Sequence, residues 1–333
     1  MIMDFDAYFS NKYSERIFNK DGRSYFMGVA ILWIFIFHFY IWYEGTRPWW
    51  IYFFSEGQTG VDIFIFLSAY GLEASYKKNG IKKYFKNRAK RILPVYILFL
   101  TTLFVFFTNN VPIISITSQC IGQLTGLSLL HGPDFFSTNF EFDWFTPALI
   151  ILYALLPLFS HILNLVAEKK IYFEILVLLL LIILCLINFR FIHCPIRLLL
   201  YRLPIYMMGI ITNIHLRNNR INRLAIMYIM FFFCSIFSNQ HWLLVSSSVP
   251  IFMMVFGMIQ GQLPFYNTIC LLGRNSYEIY LAHIFPVTNF FMKNVFDNIY
   301  IYIAITILWT IAMATIFSYF RNITNKLIIN NSR

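Results

Sequence analysis

The sequence predicts an all-α polytopic membrane protein, and three observations carry that reading. Of its 333 residues 59% are hydrophobic and only 12% are charged, against roughly 25% charged in an ordinary globular domain. The mean hydropathy is +0.65. The basic residues are bunched into short runs between apolar stretches instead of being spread along the chain. A net charge of +11 would point to nucleic acid in a soluble chain. Here topology and anionic headgroups account for it, so no nucleic-acid partner is expected.

A helical span needs about 20 apolar residues, and ten windows meet or approach that length. They fall at 25–43, 59–75, 92–108, 144–165, 171–188, 197–215, 224–238, 242–260, 275–292 and 299–319. With the N-terminus inside, 21 of the 26 Lys and Arg residues lie on the cytoplasmic side; Arg47, Arg190, Arg197, Arg202 and Lys293 are the exceptions. Both termini are therefore expected in the cytoplasm. The expected organisation is a cytoplasmic tail over 1–23, one transmembrane domain over 24–319, and a second cytoplasmic tail over 320–333. The polar N-terminal stretch does not resemble a cleaved signal peptide, and residue 25 onward reads as a signal-anchor.

The first span, FMGVAILWIFIFHFYIWYEG, carries His38 five residues from its outer end, roughly 8 Å deep at 1.5 Å rise per residue. The second span enters through Gly57-Gln58-Thr59-Gly60 and carries Asp62 at its outer end and Ser68 farther in. An ionisable group at such depth is costly and usually functional. His38 and Asp62 share depth on neighbouring spans, so a carboxylate-oriented imidazole that deprotonates a hydroxyl is one reading. The other has His38 bonding an interhelical carbonyl and Asp62 capping its helix; spacing alone does not choose. Eight cations follow between Lys77 and Arg91. Within them Arg88 and Arg91 share a helix face and can clamp a phosphate; a purely topological run is the competing account.

The 109–143 stretch mixes apolar and polar residues and reads as an interfacial segment. Its end places Glu141 and Asp143 beside Trp144, an arrangement able to hold a hydroxylated acceptor or simply an acidic loop. Arg202, about five residues deep in its window, must find a partner, and Asp62 or a substrate group would serve. His283 lies near mid-depth in GRNSYEIYLAHIFPV with Ser276, Tyr277 and Tyr280 on nearby turns, where interhelical polar glue is the plain reading. His131, His161, His193, His215 and His241 fall in loops or at span ends and attract no role. Five cysteines without a CxxC pair indicate neither a disulfide framework nor a metal site. There is no phosphate loop, zinc signature or nucleophile elbow.

Five of these stretches together resemble the integral-membrane acyltransferase 3 family: MGVAILWIFIFHF, GVDIFIFLSAYGL, FKNRAKRILPVY, DWFTPALIILYALLPL and GRNSYEIYLAHIFPV. They occur in order between about residues 24 and 317. The resemblance implies an acyltransferase of a bacterial cytoplasmic membrane that moves an acyl group, mostly acetyl, from acyl-coenzyme A to hydroxyls of envelope or capsular glycans. Acyl-coenzyme A is then a co-substrate, and no tightly bound cofactor is implied. It also implies that His38 is the essential first-span histidine and that Arg88 and Arg91 are the cytoplasmic arginine pair. Two positions depart from the pattern. Met27 stands where an Arg is usual, with Arg23 one turn earlier, and Ala69 replaces the Gly after Ser68. In the resulting expectation His38 and Asp62 are catalytic, with His283, Ser68 and Arg202 as further candidates. Arg88 and Arg91 bind the donor; Glu141, Asp143 and Trp144 bind the acceptor. The sequence does not single out an oxyanion stabiliser; Ser68 or Tyr70 could serve. The rival is a transporter of glycans or lipid-linked sugars, with Arg202, Asp62 and His38 lining its path.

Overall fold

In the computed structural model the described residues are 16–43, 46–107, 113–130, 143–191, 194–238, 240–257, 260–288 and 298–330, and their regular structure is entirely helical. The helices are α1 (Lys20–Trp42), α2 (Thr59–Phe107), α3 (Ile113–Thr125), α4 (Phe145–Ala167), α5 (Ile171–Phe191), α6 (Ile196–Leu200), α7 (Leu203–Arg217), α8 (Ile221–Phe237), α9 (His241–Gly257), α10 (Tyr266–Arg274), α11 (Ser276–Thr288) and α12 (Ile299–Asn330). Short 3₁₀ turns occupy Trp49–Phe54, Leu127–Leu130 and Gln260–Gln262.

Among the described residues each of the ten apolar windows lies mainly in helix. Two of them, 59–75 and 92–108, lie in the two arms of α2, which is broken at Gly80. Its φ of 72° and ψ of 170° suit a residue without a Cβ, and they interrupt the helix inside the basic run. The 197–215 window is divided between α6 and α7 at Tyr201 and Arg202. Pro204 at the start of α7 needs no donor there, so a new helix begins readily. Among the described residues three helical stretches are long and apolar enough to cross a bilayer: Lys20–Ile41, Phe145–Ala167 and Ile299–Leu327. Ile171–Ile187, Ile221–Phe237 and His241–Gly257 are apolar but shorter.

The chain packs as two compact units within what the sequence presents as one domain. The first comprises residues 1–30, 58–78 and 154–274; the second comprises 31–57, 79–153 and 275–333. In the first unit α7 is almost wholly buried and lies directly on the first arm of α2. A Cβ at Gly209 would come within 2.4 Å of the Phe66 carbonyl oxygen and 2.7 Å of Ala69 Cβ. The glycine of this pair sits on α7, and the alanine at position 69 fills its place on α2. At one end of the same unit His215 and Glu174 are fully buried with Nε2 and Oε2 2.6 Å apart, tying α7 to α5.

In the second unit Phe39, Tyr43, Ile51, Ile299 and Tyr302 form a buried cluster. It fastens the end of α1 and the Trp49–Phe54 turn to the start of α12. Glu278 on α11, 1% exposed, is paired with Arg321 on α12. The α3 segment is a helix whose inward face carries Gln119 and Gln123, and Gln123 accepts a 2.7 Å bond from Tyr96 on α2.

Candidate functional site

His38 and His283 meet in the second unit. Helix α1 presents His38 one residue before the buried Phe39, and α11 presents His283, which is completely buried. Phe39 packs edge-on against Tyr302 and the Phe35 ring lies 5.5 Å from that of His283, so apolar contacts on both sides hold the two imidazoles in place. His38 Nδ1 and His283 Nε2 are 2.8 Å apart. His283 Nδ1 lies 2.9 Å from the Ile279 carbonyl oxygen, one turn back along α11.

These two contacts fix the tautomers of neutral rings. A carbonyl oxygen can only accept, so His283 Nδ1 carries its proton and donates it to Ile279. His283 Nε2 is then a bare acceptor, and His38 Nδ1 must be the donor to it. The remaining nitrogen of His38, Nε2, is left with its lone pair. His38 itself keeps partial exposure. A neutral imidazole with an oriented lone pair can take a proton from a hydroxyl.

Around His283 a second polar group is anchored. Tyr280 donates 2.9 Å to Asp143 Oδ1, and the same oxygen accepts from the backbone N–H groups of Phe145 and Thr146 at 3.0 Å each. Asp143 thereby caps α4. Burial pushes its carboxyl above the ordinary carboxylate range, against the bonds from Thr146 and Tyr280 that favour ionisation. Its other oxygen, Oδ2, is buried without a hydrogen bond among the described residues. Tyr277 reaches Thr146 Oγ1 at 3.4 Å. Trp144 is half-buried, and Glu141 lies outside the described residues.

Asp62 and Arg202 pair in the first unit, with Asp62 Oδ1 and Arg202 Nε 3.4 Å apart and the residues 5% and 7% exposed. The close fit of Gly209 on Phe66 and Ala69 is what brings α7 near enough to α2 for the pair. The partner that sequence reasoning offered His38 was Asp62; His283 holds His38 Nδ1, and Asp62 is engaged with Arg202. Ser68 is half-buried on α2, and the Tyr70 ring stacks on Phe18 at 4.3 Å. Arg23 lies against the same helix, its Nη1 2.6 Å from the position a Cβ would take on Gly71.

Arg88 and Arg91 lie on the second arm of α2, the first half-buried and the second exposed. Arg88 Nε is buried without a hydrogen bond among the described residues. No group of three or more His, Cys, Asp or Glu side chains able to hold a metal occurs among the described residues. His215, which attracts no role from its place in the sequence, is one half of the buried His215–Glu174 pair. Tyr201 and Trp242, equally unmarked in the sequence, stack at 4.5 Å beside Arg202. A lone aromatic in an apolar chain with 20% aromatics gives no signal of its own.

A family model described as an acyltransferase domain matches residues 25–320. The chain belongs to the acyltransferase 3 family. It is accordingly a membrane acyltransferase, and both the His38–His283 contact and the Asp62–Arg202 pair fall inside the matched region. No curated protein and no solved structure matches the chain.

Proposed function

We propose that this acyltransferase moves an acetyl group from acetyl-coenzyme A to a hydroxyl of an envelope or capsular glycan, with His38 as general base. The observation that carries the proposal is the His38–His283 hydrogen bond. With Ile279 fixing the proton on His283 Nδ1, it leaves the lone pair of His38 on Nε2. In the proposed step Nε2 takes the proton of the acceptor hydroxyl as its oxygen attacks the thioester carbonyl. The tetrahedral intermediate then expels the coenzyme A thiolate, which recovers the proton from the imidazolium. The products are the glycan ester and free coenzyme A, and the histidine returns to its starting tautomer.

In the same proposal the chain spans the cytoplasmic membrane of a bacterium ten times with both termini inside. Arg88 and Arg91 hold the donor phosphates at the cytoplasmic face, where the basic run lies. Asp143 and Trp144, with Glu141, receive the acceptor at the other face; the buried, unbonded Oδ2 of Asp143 supports that placement. The charge distribution favours donor entry from inside and base chemistry near the outside.

The test is transfer of label from [¹⁴C]acetyl-coenzyme A by the purified protein in nanodiscs to envelope glycan taken from cells that lack it. His38→Ala should reduce transfer by about 10²–10⁴-fold, the usual contribution of general-base catalysis, in a protein that still inserts and unfolds at the normal temperature. Transfer within threefold of the starting protein would remove His38 from the chemistry. Cells lacking the protein should export a normal amount of unacetylated glycan; loss of export would instead favour transport.

A further inference from the structure

The first unit contains a partly open cavity of about 200 Å³ lined by Gln58, Asp62, Tyr201, Arg202, Trp242 and Ser246, together with Leu198 and Val245. We propose that this cavity binds a neutral, hydroxylated sugar ring, the Tyr201–Trp242 stack contacting its apolar face and the Asp62–Arg202 pair its hydroxyls. The choice of a sugar rests on the glycan acceptor proposed above; the cavity and its chemistry do not.

Size narrows the ligand first. Pockets for drug-sized molecules run to roughly 300–1,000 Å³, so this one suits a single ring and excludes a nucleotide. Charge narrows it next. Asp62 and Arg202 are both buried and cancel one another. An anion entering the cavity would gain Arg202 and be repelled by Asp62, and a cation would meet the converse; a neutral polar ligand meets neither penalty. The ion pair is also spaced for sharing. At 3.4 Å it is longer than the 2.7–2.9 Å typical of a charge-assisted bond, and Arg202 Nη1 meanwhile donates to the Leu198 carbonyl oxygen at 3.0 Å. Asp62 Oδ1 has no hydrogen bond among the described residues, and neither has the buried indole N–H of Trp242. The Asp62 carboxylate, with Ser246 beside it, and the Arg202 guanidinium thus belong to the lining of one cavity, and a vicinal pair of hydroxyls can bond both at once.

The aromatic wall supplies the rest. Tyr201 and Trp242 stack with centroids 4.5 Å apart and planes inclined by 23°, and the half-buried Trp242 offers a large rigid surface with a polar edge. A pyranose has the matching character, with C–H groups on its faces and hydroxyls around its rim. A lipid tail would leave the ion pair unanswered, and water alone would leave the aromatic wall wetted.

Binding is read on the full-length protein in nanodiscs with no acyl donor present, by saturation-transfer NMR titration. The probes are methyl β-D-glucopyranoside, methyl β-D-galactopyranoside, methyl N-acetyl-β-D-glucosaminide and, as the anionic comparison, methyl β-D-glucuronide. At least one neutral probe should saturate, with magnetisation transferred mainly to its C–H face. Trp242→Leu and Asp62→Asn should each weaken it at least tenfold, whereas Trp242→Phe should retain the stacking and lose only a few-fold. Val245→Trp, which fills the cavity without removing any contact named here, should abolish binding, and it decides the matter if Trp242→Leu does not fold. Absence of saturation by every neutral probe, preference for the glucuronide, or binding unchanged within twofold by Val245→Trp would overturn the proposal. Transfer without such binding would refute this site alone; binding without transfer would refute the proposed reaction alone.

Discussion

At the scale of single residues the proposed chemistry depends on which nitrogen of His38 is left bare, and that is decided 245 positions away in the chain. His283 on its own looks like polar glue in a helix, and its bond to Ile279 is the ordinary way a buried imidazole satisfies one nitrogen. The consequence for His38 arises only when the two rings touch. His283→Leu removes the acceptor from His38 Nδ1–H and frees the ring to adopt either tautomer. Losing one partner of a buried hydrogen bond costs about 1–3 kcal/mol, so kcat for acetyl transfer should fall roughly tenfold to a hundredfold with KM for acetyl-coenzyme A unchanged. His283→Gln, whose amide oxygen can accept from the same N–H, should recover part of the loss. Equal losses in the two variants would show that His283 serves packing alone.

Individual elements owe their placement to a few residues whose steric or capping role is local. Asp143 caps α4 through two backbone N–H groups and holds Tyr280 of α11 with the same oxygen. Replacing it by Ala should lower stability by about 1–2 kcal/mol, from the lost cap and the stranded phenol. A reduced thermal midpoint in nanodiscs would register this; an unchanged midpoint would mean that α4 starts equally well without its cap. Gly209 is more demanding. Gly209→Leu would drive a side chain into the Phe66 carbonyl, and α7 would have to leave α2. The variant should fold poorly and lose the Asp62–Arg202 pair with it, whereas Gly71→Ala meets only the end of the flexible Arg23 side chain and should be tolerated.

Across the whole molecule the proposal divides the basic residues between orientation and binding, and two experiments separate the roles. A reporter joined after Arg91 should be cytoplasmic and one inserted at Pro133 external; finding both on one side would reject the ten-span arrangement. Arg88→Gln and Arg91→Gln leave six other cations between Lys77 and Arg91 and should not disturb orientation. If the two hold phosphates, each charge-assisted contact is worth about 1.5–3 kcal/mol, and the apparent KM for acetyl-coenzyme A should rise tenfold or more. An unchanged KM with normal insertion would make the run purely topological.

Composition and hydropathy patterning by themselves determine that this chain is helical and membrane-bound, because no other structure satisfies backbone groups over so many apolar windows lacking the alternation of a barrel. The order of five short motifs determines its family, and the apolar setting of His38 and Asp62 marks both as costly and therefore of interest. Only the tertiary structure decides their company. His38 and His283 lie on helices far apart in sequence, and helical periodicity says which face a residue occupies but not which helix faces it; for Arg202 the sequence offers Asp62 or a substrate group, and packing brings Asp62. The contact between α7 and α2 is decided by the missing Cβ of Gly209 at one point of closest approach, and the cavity beside it by where Trp242 and Tyr201 come to stack. Those are packing outcomes, set by shape at distances of a few ångströms, and a hydropathy pattern carries no record of them.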